Sequence, residues 1–136
     1  MHIKIISYLI FLIFFFTSSV SSIENKIILK INNSIITNVD VINEANYLQA
    51  LNPNLQNLKK NKIFEIAKNS LIREKIKKIE ILKANNRNIS SDYLESVIKT
   101  IYTNIGFKNK NEFIEHLKKF NIDIQTIEKK LSDETL

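Results

Sequence analysis

Asp40 and Glu44 stand four residues apart, a spacing that puts two carboxylates on one side of a helix, where one would serve as general acid and the other as base. His116 sits beside Glu112 and Glu115, carboxylates that would orient an imidazole acting as a base. Neither constellation reaches chemistry. Asp40 falls three residues after Thr37, where it completes a helix cap, and Glu44 is then expected to be solvated. His116 falls on the outward side of its helix, and no Ser, Cys or second His after residue 22 makes a credible partner. With no Cys and only His2 and His116, thiolate zinc sites, thiol nucleophiles, disulfides and histidine metal clusters are excluded. Tyr47, Tyr93 and Tyr102, at helical positions, read as core or rim. No catalytic residue, metal or other cofactor is expected.

The elements that position these side chains follow from composition. In 136 residues there are one Gly and one Pro, while 44% of residues are apolar and 25% charged. Gly-rich phosphate loops and turn-dense β-sandwiches need more of both punctuating residues, so the fold class is mostly α, as one domain. Met1 to Lys4 is a short basic start, Ile5 to Phe16 an uncharged apolar run, and Thr17 to Ser22 small and polar, the three-part layout of a signal peptide. Val20 and Ser22 suit a cut before Ile23, Ser19 and Ser21 suit one a residue earlier, and the run is shorter than the roughly 20 residues that span a bilayer. Residues 1–22 therefore read as a signal peptide and 23–136 as the exported domain. An exported chain without cysteine suits a bacterial periplasm.

Removing residues 1–22 takes away Lys4 and no acid, so 19 basic residues against 14 acidic ones leave +5. The lysines are dispersed among Glu and Asn, with Lys59, Lys60 and Lys62 the tightest group, and Arg73 and Arg87 are the only arginines. A nucleic-acid face would gather arginines with stacking aromatics, so no nucleic-acid partner is expected.

Ile27 to Ile31 and Ser34 to Thr37, joined by Asn32-Asn33, predict a β-hairpin pairing Ile31 with Ser34, Lys30 with Ile35 and Leu29 with Ile36. One face would carry Ile27, Leu29, Ile31 and Ile36, and both edges would be open. Five helices follow. Thr37 and Asp40 form a capping box opening a helix through about Leu51, with Val41, Ala45, Leu48 and Tyr47 inward, and Asn52-Pro53-Asn54 ends it. Ile63 to Ala84 is the longest, stopped by Asn85-Asn86. Its apolar residues fall into two sectors, one with Ile63, Phe64, Ala67, Leu71, Ile81 and Leu82, the other with Ile72, Ile76 and Ile79. Ser90 caps a third helix with Leu94, Val97, Ile98, Ile101, Tyr102 and Ile105 on one stripe, and Gly106 suits the left-handed residue beyond its end. Asn109 and Glu112 cap a fourth, burying Phe113, Ile114, Leu117 and Phe120, and Asn121 closes it. Asp123 caps a fifth, carrying Ile124, Ile127 and Leu131.

This order, with ILKINNSIITNVDV, AKNSLIREKIKKIEILKANN, and NISSDYLESVIKTI followed by NEFIEHLKKFNID, resembles the N-terminal domain of SurA-type periplasmic chaperones over nearly all of residues 24–136. The resemblance implies a SurA N-terminal-domain-like fold and ATP-independent binding of unfolded outer-membrane proteins or aromatic-rich peptides. Members of that family usually continue into parvulin isomerase domains and a C-terminal segment completing the core. None follows Leu136, so no prolyl isomerase activity is expected, and the unfinished stripe of the fifth helix leaves room for a C-terminal complement or dimer partner. Contact with the membrane is expected only through the signal peptide before cleavage. Ile72, Ile76, Ile79, Ile28 and Ile35 are the expected peptide-binding residues. A docking or structural module for one folded partner would use the same surface.

Overall fold

The computed structural model describes residues 24–81 and 90–135. The expected signal peptide, the end of the long helix beyond Ile81 and the Asn85-Asn86 stop lie outside them. The elements are β1 (Ile27–Ile31), β2 (Ser34–Thr37), α1 (Asn38–Leu51), a 3-10 turn (Pro53–Asn57), α2 (Lys60–Ile81), α3 (Ser91–Asn104), α4 (Lys110–Lys118) and α5 (Ile124–Thr135). The fold of the described residues is mostly helical, with an antiparallel hairpin ahead of five helices. Among the described residues no helix is long and apolar enough to cross a membrane.

The hairpin has the expected register, Leu29 opposite Ile36, Lys30 opposite Ile35 and Ile31 opposite Ser34, and of its two turn residues Asn32 alone takes a positive φ, of 50°. A β-bulge at Ile28 shifts the pairing so that Ile27 faces Thr37. The expected inward face is only partly buried: Ile36 is fully buried and Ile31 half-buried, but Leu29 is 37% exposed and Ile27, where the bulge changes the phase of the alternation, 67%. Asn38 pins the chain entering β1: its side chain accepts from the Lys26 N–H at 2.7 Å and donates to the Glu24 carbonyl at 2.9 Å.

Thr37 and Asp40 form the expected capping box of α1. At the other end of α1 the last carbonyls are taken one by one: Leu48 by the Asn52 N–H, Gln49 by the Gln56 side chain and Ala50 by His116. The expected break at Pro53 is a 3-10 turn, started by the Asn52 side chain, which accepts from the Asn54 N–H. α2 begins three residues before the expected Ile63, since Lys60, Asn61 and Lys62 are helical but polar and add nothing to an apolar stripe.

Ser90, Asn109 and Asp123 cap α3, α4 and α5 by accepting from the N–H three residues on. Glu112 reaches back to the Lys108 N–H. The Thr126 hydroxyl and N–H hydrogen-bond the Asp123 carboxylate and hold its pKa below the ordinary value. α3 ends with Gly106 at φ +97°, the Phe107 N–H reaching back to the Tyr102 carbonyl and the Gly106 N–H to that of Thr103. Asn121, φ 56°, ends α4 in the same way.

Among the described residues all the buried apolar side chains except Ile63 fall into two clusters. The smaller is Ile36, Val41, Ala67 and Leu71, from β2, α1 and α2. The larger draws Tyr47 and Ala50 from α1, Ile98 from α3, Phe113 and Leu117 from α4, and Ile122, Ile127 and Leu131 from the last segment. α1 is the shared wall, and its Leu48 packs against both.

Candidate functional site

A cleft of about 390 Å³ opens where β2, α1 and α2 meet the chain from Phe120 into α5. Ile35 and Ile36 border it on one side, Leu71 and Glu74 on another, and Ile122 and Lys130 on a third. Both Ile35 and Ile36 of β2 border the cleft, and among the described residues β2 pairs only with β1, which leaves its other edge unpaired.

Three charged side chains meet in this cleft. Lys130 Nζ lies 2.6 Å from Glu44 Oε2 and 3.0 Å from Glu74 Oε2, and 4.6 Å from the centre of the Tyr47 ring. Burial alone would lower the Lys130 pKa, but the hydrogen bond and charge of Glu44, with those of Glu74 added, outweigh it and hold the ammonium above its ordinary value. The group thus stays ionised, a cation held by two carboxylates and an aromatic face.

Glu44 corrects an expectation. It is not solvated but 3% exposed, the one buried charged residue among those described. The signal was present in the sequence: Val41, Glu44 and Tyr47 recur at three-residue intervals on the inward stripe of α1. Asp40 serves the cap as expected, so the two carboxylates of the i, i+4 pair are separated in role.

His116 is the second correction. It is half-buried, not outward, with its ring centroid 4.8 Å from that of Phe107 and 5.1 Å from that of Phe120, and its Nε2 is 2.9 Å from the Ala50 carbonyl oxygen. A carbonyl only accepts, so Nε2 carries the proton. Its role is to close the end of α1. Of the tyrosines, Tyr47 is buried, Tyr102 half-buried against Phe113, and Tyr93 exposed.

The five expected peptide-binding residues lie on β1, β2 and α2, and of the five Ile35 lines the cleft. Ile35, 48% exposed, borders the cleft. Ile28 is exposed at the bulge of β1. Ile72 is half-buried against the smaller cluster, Ile79 is half-buried, and Ile76 is exposed on α2. Among the described residues no group of three His, Cys, Asp or Glu is placed to hold a metal ion. Compared with protein-family models, curated proteins and solved structures, the chain finds no match.

Proposed function

We propose that this chain is an exported, SurA-like chaperone domain that binds unfolded outer-membrane proteins without ATP in the periplasm, after removal of residues 1–22. The observation that carries this reading is the free edge of β2 beside the cleft. Extended segments add to such an edge through main-chain hydrogen bonds, with alternate side chains entering adjoining hollows. A two-stranded hairpin is marginal alone in water, and the exposed Ile27, Ile28, Leu29 and Ile35 leave apolar area for a client to cover. Main-chain pairing is indifferent to sequence, which suits many clients.

The test is binding of the purified protein to several unrelated aromatic-rich, outer-membrane-type peptides, with suppression of aggregation of a urea-unfolded β-barrel protein as a second readout. Weak and similar affinities that persist in high salt are expected, because apolar burial drives them. Ile35→Lys should keep the fold, its side chain being half out already, and weaken every peptide at least fivefold. Binding of one folded partner and of none of the peptides would identify a docking module in place of a chaperone.

A further inference from the structure

An apolar trough of about 470 Å³ lies between α1 and the start of α2. Its floor is Ile42 and Ala45 of α1, Leu58 after the 3-10 turn, and Ile63 and Phe64 of α2. Ile42 and Leu58 are 37% and 40% exposed, large for side chains set in a hollow. Lys60 lines the trough, and Lys59 and Lys62 flank it in sequence, all three exposed. Among the described residues none of these three lysines is in an ion pair, and the first turn of α2 carries no acid. Three like charges on the positive end of a helix repel one another and the helix dipole. That cost is relieved by an anionic partner.

We infer that this trough docks an acidic peptide segment of another protein, one in which aromatic or aliphatic side chains alternate with Asp or Glu. Its apolar side chains would fill the floor, and its carboxylates would meet Lys59, Lys60 and Lys62. Asn46 and Gln49, also lining the trough, supply side-chain amides for the peptide backbone. A second copy of this chain is a poor occupant, since two chains that each carry +5 without residues 1–22 repel. A flat bilayer does not fill a hollow. The trough includes neither Ile28 nor Ile35 of the chaperone reading, and it adjoins the cleft at Asn46, which lines both.

The experiment uses the whole protein and a fluorescein-labelled decapeptide alternating Phe or Leu with Asp or Glu, followed by anisotropy, against a counterpart with Lys in every acidic position. The acidic peptide should bind at least tenfold more tightly at low salt, with the advantage shrinking as salt rises. The triple variant Lys59→Gln, Lys60→Gln, Lys62→Gln, all surface changes, should lose that tenfold preference with an unchanged circular dichroism spectrum. Leu58→Ser should weaken the acidic peptide at every salt concentration. Equal binding of the two peptides, or a preference the triple variant retains, overturns the proposal. Two further results also overturn it: lysine-dependent sedimentation with phosphatidylglycerol vesicles without peptide binding, which assigns a membrane surface, and a dimer in sedimentation velocity that Leu58→Ser abolishes, which assigns a second copy. Loss of aromatic-peptide binding in Ile35→Lys with the acidic preference intact would show the two sites to be separate.

Discussion

Lys130 Nζ and Glu44 Oε2 are 2.6 Å apart across 86 residues of sequence, and the Glu44 side chain is 2% exposed. The pair ties the last helix to the first. Replacing Lys130 by Met leaves a buried carboxylate without its cation, a change that costs about 3–5 kcal/mol. Replacing Glu44 by Met as well removes the stranded charge, so the double variant should be more stable than Lys130→Met alone. Urea unfolding of the four proteins measures the coupling. The pH dependence has a definite sign. Because the folded pKa of Lys130 lies above its ordinary value, its contribution is complete below the unfolded pKa of about 10.5 and is lost as pH rises through the folded value. Wild type should therefore lose stability in that alkaline range more steeply than the double variant.

His116→Ala should destabilise by about 1–3 kcal/mol, since it leaves the Ala50 carbonyl without its donor and opens a gap between Phe107 and Phe120. His116→Gln keeps an N–H donor of similar reach and should recover part of the loss. Thermal unfolding of the two variants checks the order, and equal losses would assign the whole effect to the rings.

Gly106→Ala isolates a backbone term. An added Cβ at this position meets no atom within 4 Å, so any cost comes from the positive φ of +97°. About 1–2 kcal/mol is expected. Asn121→Gly, at φ 56°, should by contrast be nearly neutral.

What was legible in the sequence was local. Asn32-Asn33 fixed the hairpin register because a two-residue turn leaves one pairing, and Thr37, Ser90, Asn109 and Asp123 announced helix starts because a cap closes within three residues. The hidden features needed partners far along the chain. His116 meets a carbonyl 66 residues away, and the burial of Glu44 makes sense only with Lys130 opposite it. The bulge at Ile28 was hidden for another reason, since five consecutive strand residues give no sign of which one is left unpaired. In the site, Ile35 could be read from its place on the hairpin, but the cleft beside it is assembled from three separate stretches of sequence.

The sharing of α1 between two apolar clusters predicts an order of assembly. Val41 meets Ala67 and Leu71 early, because hairpin, α1 and α2 are neighbours in the chain and close short loops. Tyr47 and Ala50 must wait for Phe113, Ile127 and Leu131. A chain that emerges from its N-terminus therefore carries a half-covered helix until α5 arrives, and that interval is when it is most exposed to aggregation. Slowing the arrival of α5, rather than weakening the early hairpin, is the change that would most lengthen the vulnerable state.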